Sequence, residues 1–154
     1  MKRYLAALLV VLGVVGVVGF LAVETGFAND EDATKAKCSE ATLHGTYLFS
    51  YDGVDVTGNK EVPFVFAGYD IYDGNGKIDS VVSSNFNGQV LRKEPNSGTY
   101  TVKANCTGTA TFGDLKFDLF IAPDGSMFSF VLVKPSELVA AGFEERATAK
   151  RVAP

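Results

Sequence analysis

Polar and apolar positions alternate most cleanly in two neighbouring stretches of the chain. Thr99, Thr101 and Lys103 interleave with Tyr100 and Val102, and Thr107, Thr109 and Thr111 interleave with Ala110 and Phe112. A period of two marks strands with one wet face and one buried face. The same texture of aromatic, β-branched and threonine residues runs on from Gly45, broken by Gly, Asn, Asp and Pro at turn-like intervals. It predicts strands over 45–51, 63–72, 77–86, 98–103, 107–112, 115–121, 127–133 and 143–151. The turn chemistry agrees, since Asp73-Gly74-Asn75-Gly76 and Pro123-Asp124-Gly125 supply residues that tolerate positive φ, and Gly113-Asp114 suits a tight hairpin. The longer link 135–142, with Leu138-Val139-Ala140-Ala141, is predicted as one short helical turn covering a barrel end.

Strands in hairpin order with one buried face leave two exposed edges, and closing the sheet removes both. The predicted fold class is therefore all-β, a small antiparallel barrel of about eight strands. A β-sandwich is the alternative; it keeps the strands but needs Greek-key connections, which hairpin-length loops disfavour. The strands carrying Phe64, Phe66, Phe128 and Phe130 also bear Val65, Ala67, Val131 and Val133 at the opposite parity, so they are expected to be covered on both faces.

Ahead of the strands, Lys2 and Arg3 precede an uncharged run from Tyr4 to Val23, and Gly26-Phe27-Ala28 offers small residues for a signal peptidase. Residues 1–28 are expected to be a signal peptide cleaved after Ala28, or an uncleaved anchor, since about twenty apolar residues span a bilayer. Either way the rest is exported, to the periplasm or the medium. Residues 29–42 are charged and small and predict a flexible tether, leaving 43–154 as a single barrel domain.

The chain has a formal charge of −4. Removing Lys2, Arg3 and Glu24 with the leader makes the domain more acidic, which argues against a nucleic-acid partner or an anionic membrane surface. Membrane contact is expected only through an uncleaved N-terminal segment. Two cysteines, Cys38 and Cys106, in an exported domain predict one disulfide.

No motif predicts a metal or other cofactor. His44 is the single histidine, neither cysteine lies in a Cys-x-x-Cys pair, and no Gly-x-Ser-x-Gly occurs. Asp73-Gly74-Asn75-Gly76-Lys77-Ile78-Asp79 resembles the middle of a calcium loop, but Ile71 and Val82 fall where that loop needs its first and last oxygen ligands. It reads as a hairpin turn, and His44 as a strand-end histidine. In Glu144-Glu145, alternation would point one carboxylate inward and one out, against the plainer reading of exposed glutamates. Were Glu145 the inward one, burial would raise its pKa, and Glu145, Tyr47 and Tyr100 are the candidate acid–base groups.

Aromatic residues say more. Tyr47, Phe49, Tyr51, Phe64, Phe66, Tyr100, Phe112, Phe117, Phe128 and Phe130 fall on the inward parity of their strands. They either fill the barrel completely or line a lumen for one apolar ligand.

The pattern Leu43-His44-Gly45-Thr46-Tyr47, with Gly98-Thr99-Tyr100-Thr101-Val102 leading into Cys106-Thr107-Gly108-Thr109-Ala110-Thr111-Phe112, resembles a family of small, largely uncharacterised secreted bacterial β domains. In strand count and hairpin order the chain also resembles the allene-oxide-cyclase-like and lipocalin-like barrels. That resemblance implies an interior that holds hydrophobic ligands and, in some branches, cyclises them; no catalytic motif of those cyclases matches residue by residue.

The leading functional expectation is a non-enzymatic exported module holding a small hydrophobic molecule in its lumen. The alternatives are a barrel cyclase or isomerase, and a structural protein that assembles as a homo-oligomer through its outer walls.

Overall fold

A computed structural model describes residues 37–58 and 60–148. The leader expected over 1–28 and most of the tether lie outside the described residues. Eight strands follow in chain order: β1 (His44–Asp55), β2 (Val62–Asp73), β3 (Lys77–Phe86), β4 (Gln89–Val102), β5 (Thr107–Phe112), β6 (Leu115–Ile121), β7 (Met127–Lys134) and β8 (Leu138–Arg146). Each pairs antiparallel with the next, and β1 pairs with β8, closing one sheet into a barrel. A two-sheet sandwich is thereby excluded.

The up-and-down order puts the connections at two ends. One end carries the β2–β3, β4–β5 and β6–β7 turns and the N-terminal residues of the domain, and it is closed. There a 3-10 turn over Glu40–Thr42 lies against β4, and Leu43 and Tyr47 are fully buried. Cys38 and Cys106 form the predicted disulfide, with Cα atoms 5.0 Å apart across 68 residues of chain. The ordered domain thus begins ahead of Leu43: residues 37–42, expected to be tether, are tied down by the bridge and by backbone hydrogen bonds such as Cys38 N–H to Ala104 C=O. At the same end Asp73 accepts the backbone N–H groups of Asn75 and Lys77, at 2.7 and 2.9 Å, so its carboxylate is used by the hairpin turn.

Three segments differ from their predicted form, the simplest being the last strand, expected over 143–151, which ends at Arg146 with Ala147 and Thr148 outside it. Link 135–142 is not a helical turn; its second half is the start of β8, whose Leu138–Ala141 pair with Asp52–Asp55 of β1. Closure of the barrel overrides the local preference of Leu-Val-Ala-Ala, because an unpaired β1 edge costs more than a lost helical turn. Strand β4 begins at Gln89, well before 98. Its first half is exposed and pairs with β3 alone, since β5 contacts only Thr99–Val102. Pro95 fits in this half because one side of the strand has no neighbour needing its missing N–H.

The outward positions expected to be covered are open within this chain: Val65 is 50% exposed, Val133 40% and Val131 38%. Leu48 and Phe143 share that outer surface.

Candidate functional site

Inward side chains divide the barrel into two halves. Toward the closed end, Tyr72 sits at the centre of an aromatic cluster, with ring centroids 5.2 Å from Tyr47, 5.0 Å from Tyr100 and 5.8 Å from Phe128, each near edge-to-face. This half is packed. Tyr47, a candidate acid–base group, donates its hydroxyl proton to the Gly125 carbonyl and accepts from Arg146, whose Nη2 lies 2.8 Å away. The same Nη2 donates to the Thr42 carbonyl at 3.0 Å. Tyr100, the second candidate, has its hydroxyl 2.9 Å from the carbonyls of both Glu40 and Leu43. Both phenols are therefore locks on the closed end, with their protons committed to backbone acceptors. Tyr47→Phe leaves the Gly125 carbonyl and part of Arg146 without their partner; a loss of about 1–3 kcal/mol in urea unfolding is expected.

Above the cluster the strands carry polar side chains inward. Following the alternation Phe64, Phe66, Gly68 along β2 brings the next inward position to Asp70, which is 3% exposed; its cross-strand neighbour on β3 is Ser80. Following Ala140 and Gly142 along β8 brings the next to Glu144, 6% exposed. Glu145, the third candidate, faces outward and is exposed, paired with Leu48 and Met127 on the outer wall. The inward acid is therefore Glu144. Asp70 and Glu144 approach each other diagonally across β1, because Asp70 pairs with Tyr47 and Glu144 pairs with Phe49, two residues further along that strand.

Two carboxylates this close and this buried do not both ionise easily. Burial pushes Asp70 up to about 6, opposed by hydrogen bonds from Ser80 and Glu144. Burial also drives Glu144 well above the usual carboxylate range, helped by the charge on Asp70. The pair consequently holds one shared proton across the neutral range, with Asp70, which has the Ser80 hydroxyl beside it, as the ionised member. Tyr72 donates to Glu144 Oε1 at 3.3 Å. The remaining oxygens, Asp70 Oδ1 and Glu144 Oε2, accept no hydrogen bond from any other group among the described residues, which leaves them only the proton the pair shares.

These carboxylates form the floor of a cavity of about 80 Å³ in the other half of the lumen. Its walls are Phe49, Tyr51 and Phe66 on one side and Phe112, Leu115, Phe117 and Phe130 on the other, with Ser80 and Asn96 as further polar groups. Tyr51 stacks on Phe66 with centroids 4.9 Å apart, and Phe117 meets Phe130 edge-on at 5.5 Å. Burial raises the Tyr51 phenol, and Asp70 and Glu144 raise it further, so it stays neutral. Glycine makes the space: a Cβ on Gly142 would lie 2.6 Å from Tyr51 Cβ and 2.8 Å from Phe130 Cζ, leaving the rings nowhere to sit. The cavity reaches solvent past Phe49, Phe66, Phe112 and Leu115, which are only partly buried.

Of the aromatic residues predicted to line a lumen, Phe49, Tyr51, Phe66, Phe112, Phe117 and Phe130 do so, whereas Tyr47, Phe64, Tyr100 and Phe128 point inward but are packed away from the cavity. The rings therefore do not fill the barrel completely: its closed half is packed and its other half is hollow. His44 is exposed at the start of β1, away from the cavity. A larger concavity of about 660 Å³ is lined by Val65, Val90, Leu91 and Phe143 together with Tyr51 and Phe66, and its charged residues, Asp52 and Arg92, are exposed.

Fold and site together define a closed eight-stranded antiparallel barrel whose aromatic lumen is floored by a proton-sharing carboxylate pair. No family model, curated protein or solved structure matches the chain.

Proposed function

We propose that this protein is an exported binding module that holds a small hydrophobic molecule in the open half of its lumen. The observation that carries the reading is the cavity itself: about 80 Å³ walled by aromatic rings and floored by convergent polar groups, beside a half that is packed solid. The disulfide supports an oxidising compartment, periplasmic or extracellular. Native mass spectrometry of the domain purified without detergent, followed by denaturing mass on the same sample, tests the proposal. A reproducible small-molecule adduct that is lost on denaturation is expected. A bare mass from every preparation, together with no uptake of small apolar probes, would overturn it.

One observation favours a second reading, a cyclase or isomerase. Asp70 and Glu144 differ in protonation at neutral pH, so one can remove a proton from an apolar substrate while the other returns one elsewhere. Recovery of the bound molecule as an isomer of the one supplied, with unchanged mass and altered retention, would move the assignment to that reading.

A further inference from the structure

We infer that the molecule held in the lumen is an organic ammonium, a protonated amine on a small apolar body, with Asp70 and Glu144 as its anchor. The inference rests on the lumen-binding reading and specifies its ligand.

Three observations converge on it. The first is what the floor lacks. Asp70 Oδ1 and Glu144 Oε2 are buried, and among the described residues no group outside the pair donates to either, so the one proton the two carboxyls share leaves accepting positions on the ionised Asp70 open. A buried acceptor left unpaired costs about 1–3 kcal/mol, so the group that belongs against it is a donor. An ammonium carries three donors and no acceptor, whereas a carbonyl or carboxylate would add acceptors to a site already full of them.

The second is charge. Around neutral pH the pair carries one net negative charge, and no lysine or arginine among the described residues acts on either carboxylate. Arg146, two residues beyond Glu144 on β8, is turned toward the closed end, on Tyr47 and Thr42, with its guanidinium carbon 5.4 Å from the Tyr47 ring centre. A buried charge without a partner is strongly unfavourable, and a bound cation supplies the missing partner.

The third is the wall. Tyr51, Phe66, Phe117 and Phe130 present ring faces and edges around the space above the carboxylates. Aromatic faces attract organic cations while also accommodating an apolar body. Gly142 opens the space in which these rings stand.

The groups packed against the pair keep their charge near neutral pH. Tyr47 and Tyr51 face it from β1, Tyr72 from β2, Ser80 from β3 and Asn96 from β4, while Ala110, Phe117, Leu119, Phe128 and Phe130 on β5 to β7 do not titrate. The tyrosines named are held above their ordinary range, chiefly by burial. Between about pH 5 and 7.5 the groups that change charge at the site are therefore the carboxylates.

The test uses matched probes: benzylamine against benzyl alcohol, and n-butylamine against n-butanol, titrated into isotopically labelled protein and read by NMR at the Ala110 and Leu119 methyls. The amines stay charged throughout the pH range, so any pH effect belongs to the protein. At about pH 7.5 the amines are expected to bind at least about tenfold more tightly than the alcohols. Lowering the pH to about 5 should remove that preference as Asp70 takes up a proton. Asp70→Asn should remove it at every pH; should this variant fail to fold, the pH series on the unaltered protein decides alone. Alcohols binding as tightly as amines would overturn the ammonium assignment and leave the lumen-binding reading standing. Shifts confined to surface residues, or none with any probe, would also overturn it, and the adduct measurement would then decide the broader reading separately.

Discussion

Replacing Cys38 and Cys106 together by alanine lowers the unfolding free energy by roughly 4 kcal/mol, the loop-closure entropy of a bridge spanning 68 residues. The loss is large against the roughly 5–15 kcal/mol that holds a typical domain. It is concentrated at the closed end. The bridge fastens residues 37–43 over the β4–β5 turn, and those residues supply the acceptors for Tyr100, at Glu40 and Leu43, and for Arg146, at Thr42. Without the bridge the segment frays, and two buried locks lose partners together. Urea unfolding of the oxidised protein against the double variant measures the effect, with hydrogen exchange at residues 38–47 locating it. A loss below about 1 kcal/mol would mean that Leu43 and the tyrosine locks hold the end unaided.

A second large effect has the opposite sign to ordinary acid denaturation. Asp70 is raised to about 6 and Glu144 is raised well above its usual range, so both bind protons more tightly in the folded state than in the unfolded chain. Their contribution to stability is fully present below their unfolded values and is lost as pH rises through their folded ones. For Asp70 alone the decline between about pH 4 and pH 6 and above amounts to about 3 kcal/mol, and Glu144 extends it to higher pH. Asp55, Asp73 and Asp124 are held below their ordinary value by hydrogen bonds from their own turns, so they act in the other direction, as pH falls below about 4. Stability should therefore peak in mild acid. Asp70→Asn keeps the shape and removes the charge, and it is expected to stabilise the protein at about pH 8 by roughly 2–3 kcal/mol while flattening the decline. A stability profile that rises steadily from pH 4 to 8, in the unaltered protein, would contradict a buried pair. A stabilising substitution at a candidate site is itself informative, since functional groups are commonly held at a cost to the fold.

Alternation carried most of the architecture. Where polar and apolar residues interleave, as in Thr99 to Lys103 and Thr107 to Phe112, parity alone places each side chain, and hairpin-length loops order the strands. The polar floor of the lumen was legible in the same way, since Asp70 lies in step with Phe64 and Phe66, and Glu144 in step with Ala140 and Gly142. What obscured it was local. Phe143 looks like a core residue and draws its partner parity outward, although it is 53% exposed, and Asp70 sits in a run dense with Tyr69, Ile71 and Tyr72. The start of β8 was hidden because Leu-Val-Ala-Ala favours a helix locally, and only pairing with β1 decides otherwise. The first half of β4 has no alternation to read, since it lies outside the closed wall. That Asp70 and Glu144 meet depends on register across β1, a long-range property that no single segment records.

Carboxyl-carbon NMR across pH 3 to 9 reads the floor of the lumen with no ligand at hand. One buried carboxyl, Asp70, is expected to titrate near 6 and a second, Glu144, to stay protonated beyond it, each responding to the other's ionisation. Both groups titrating near 4 with the ordinary surface acids would contradict the buried pair, and with it the site.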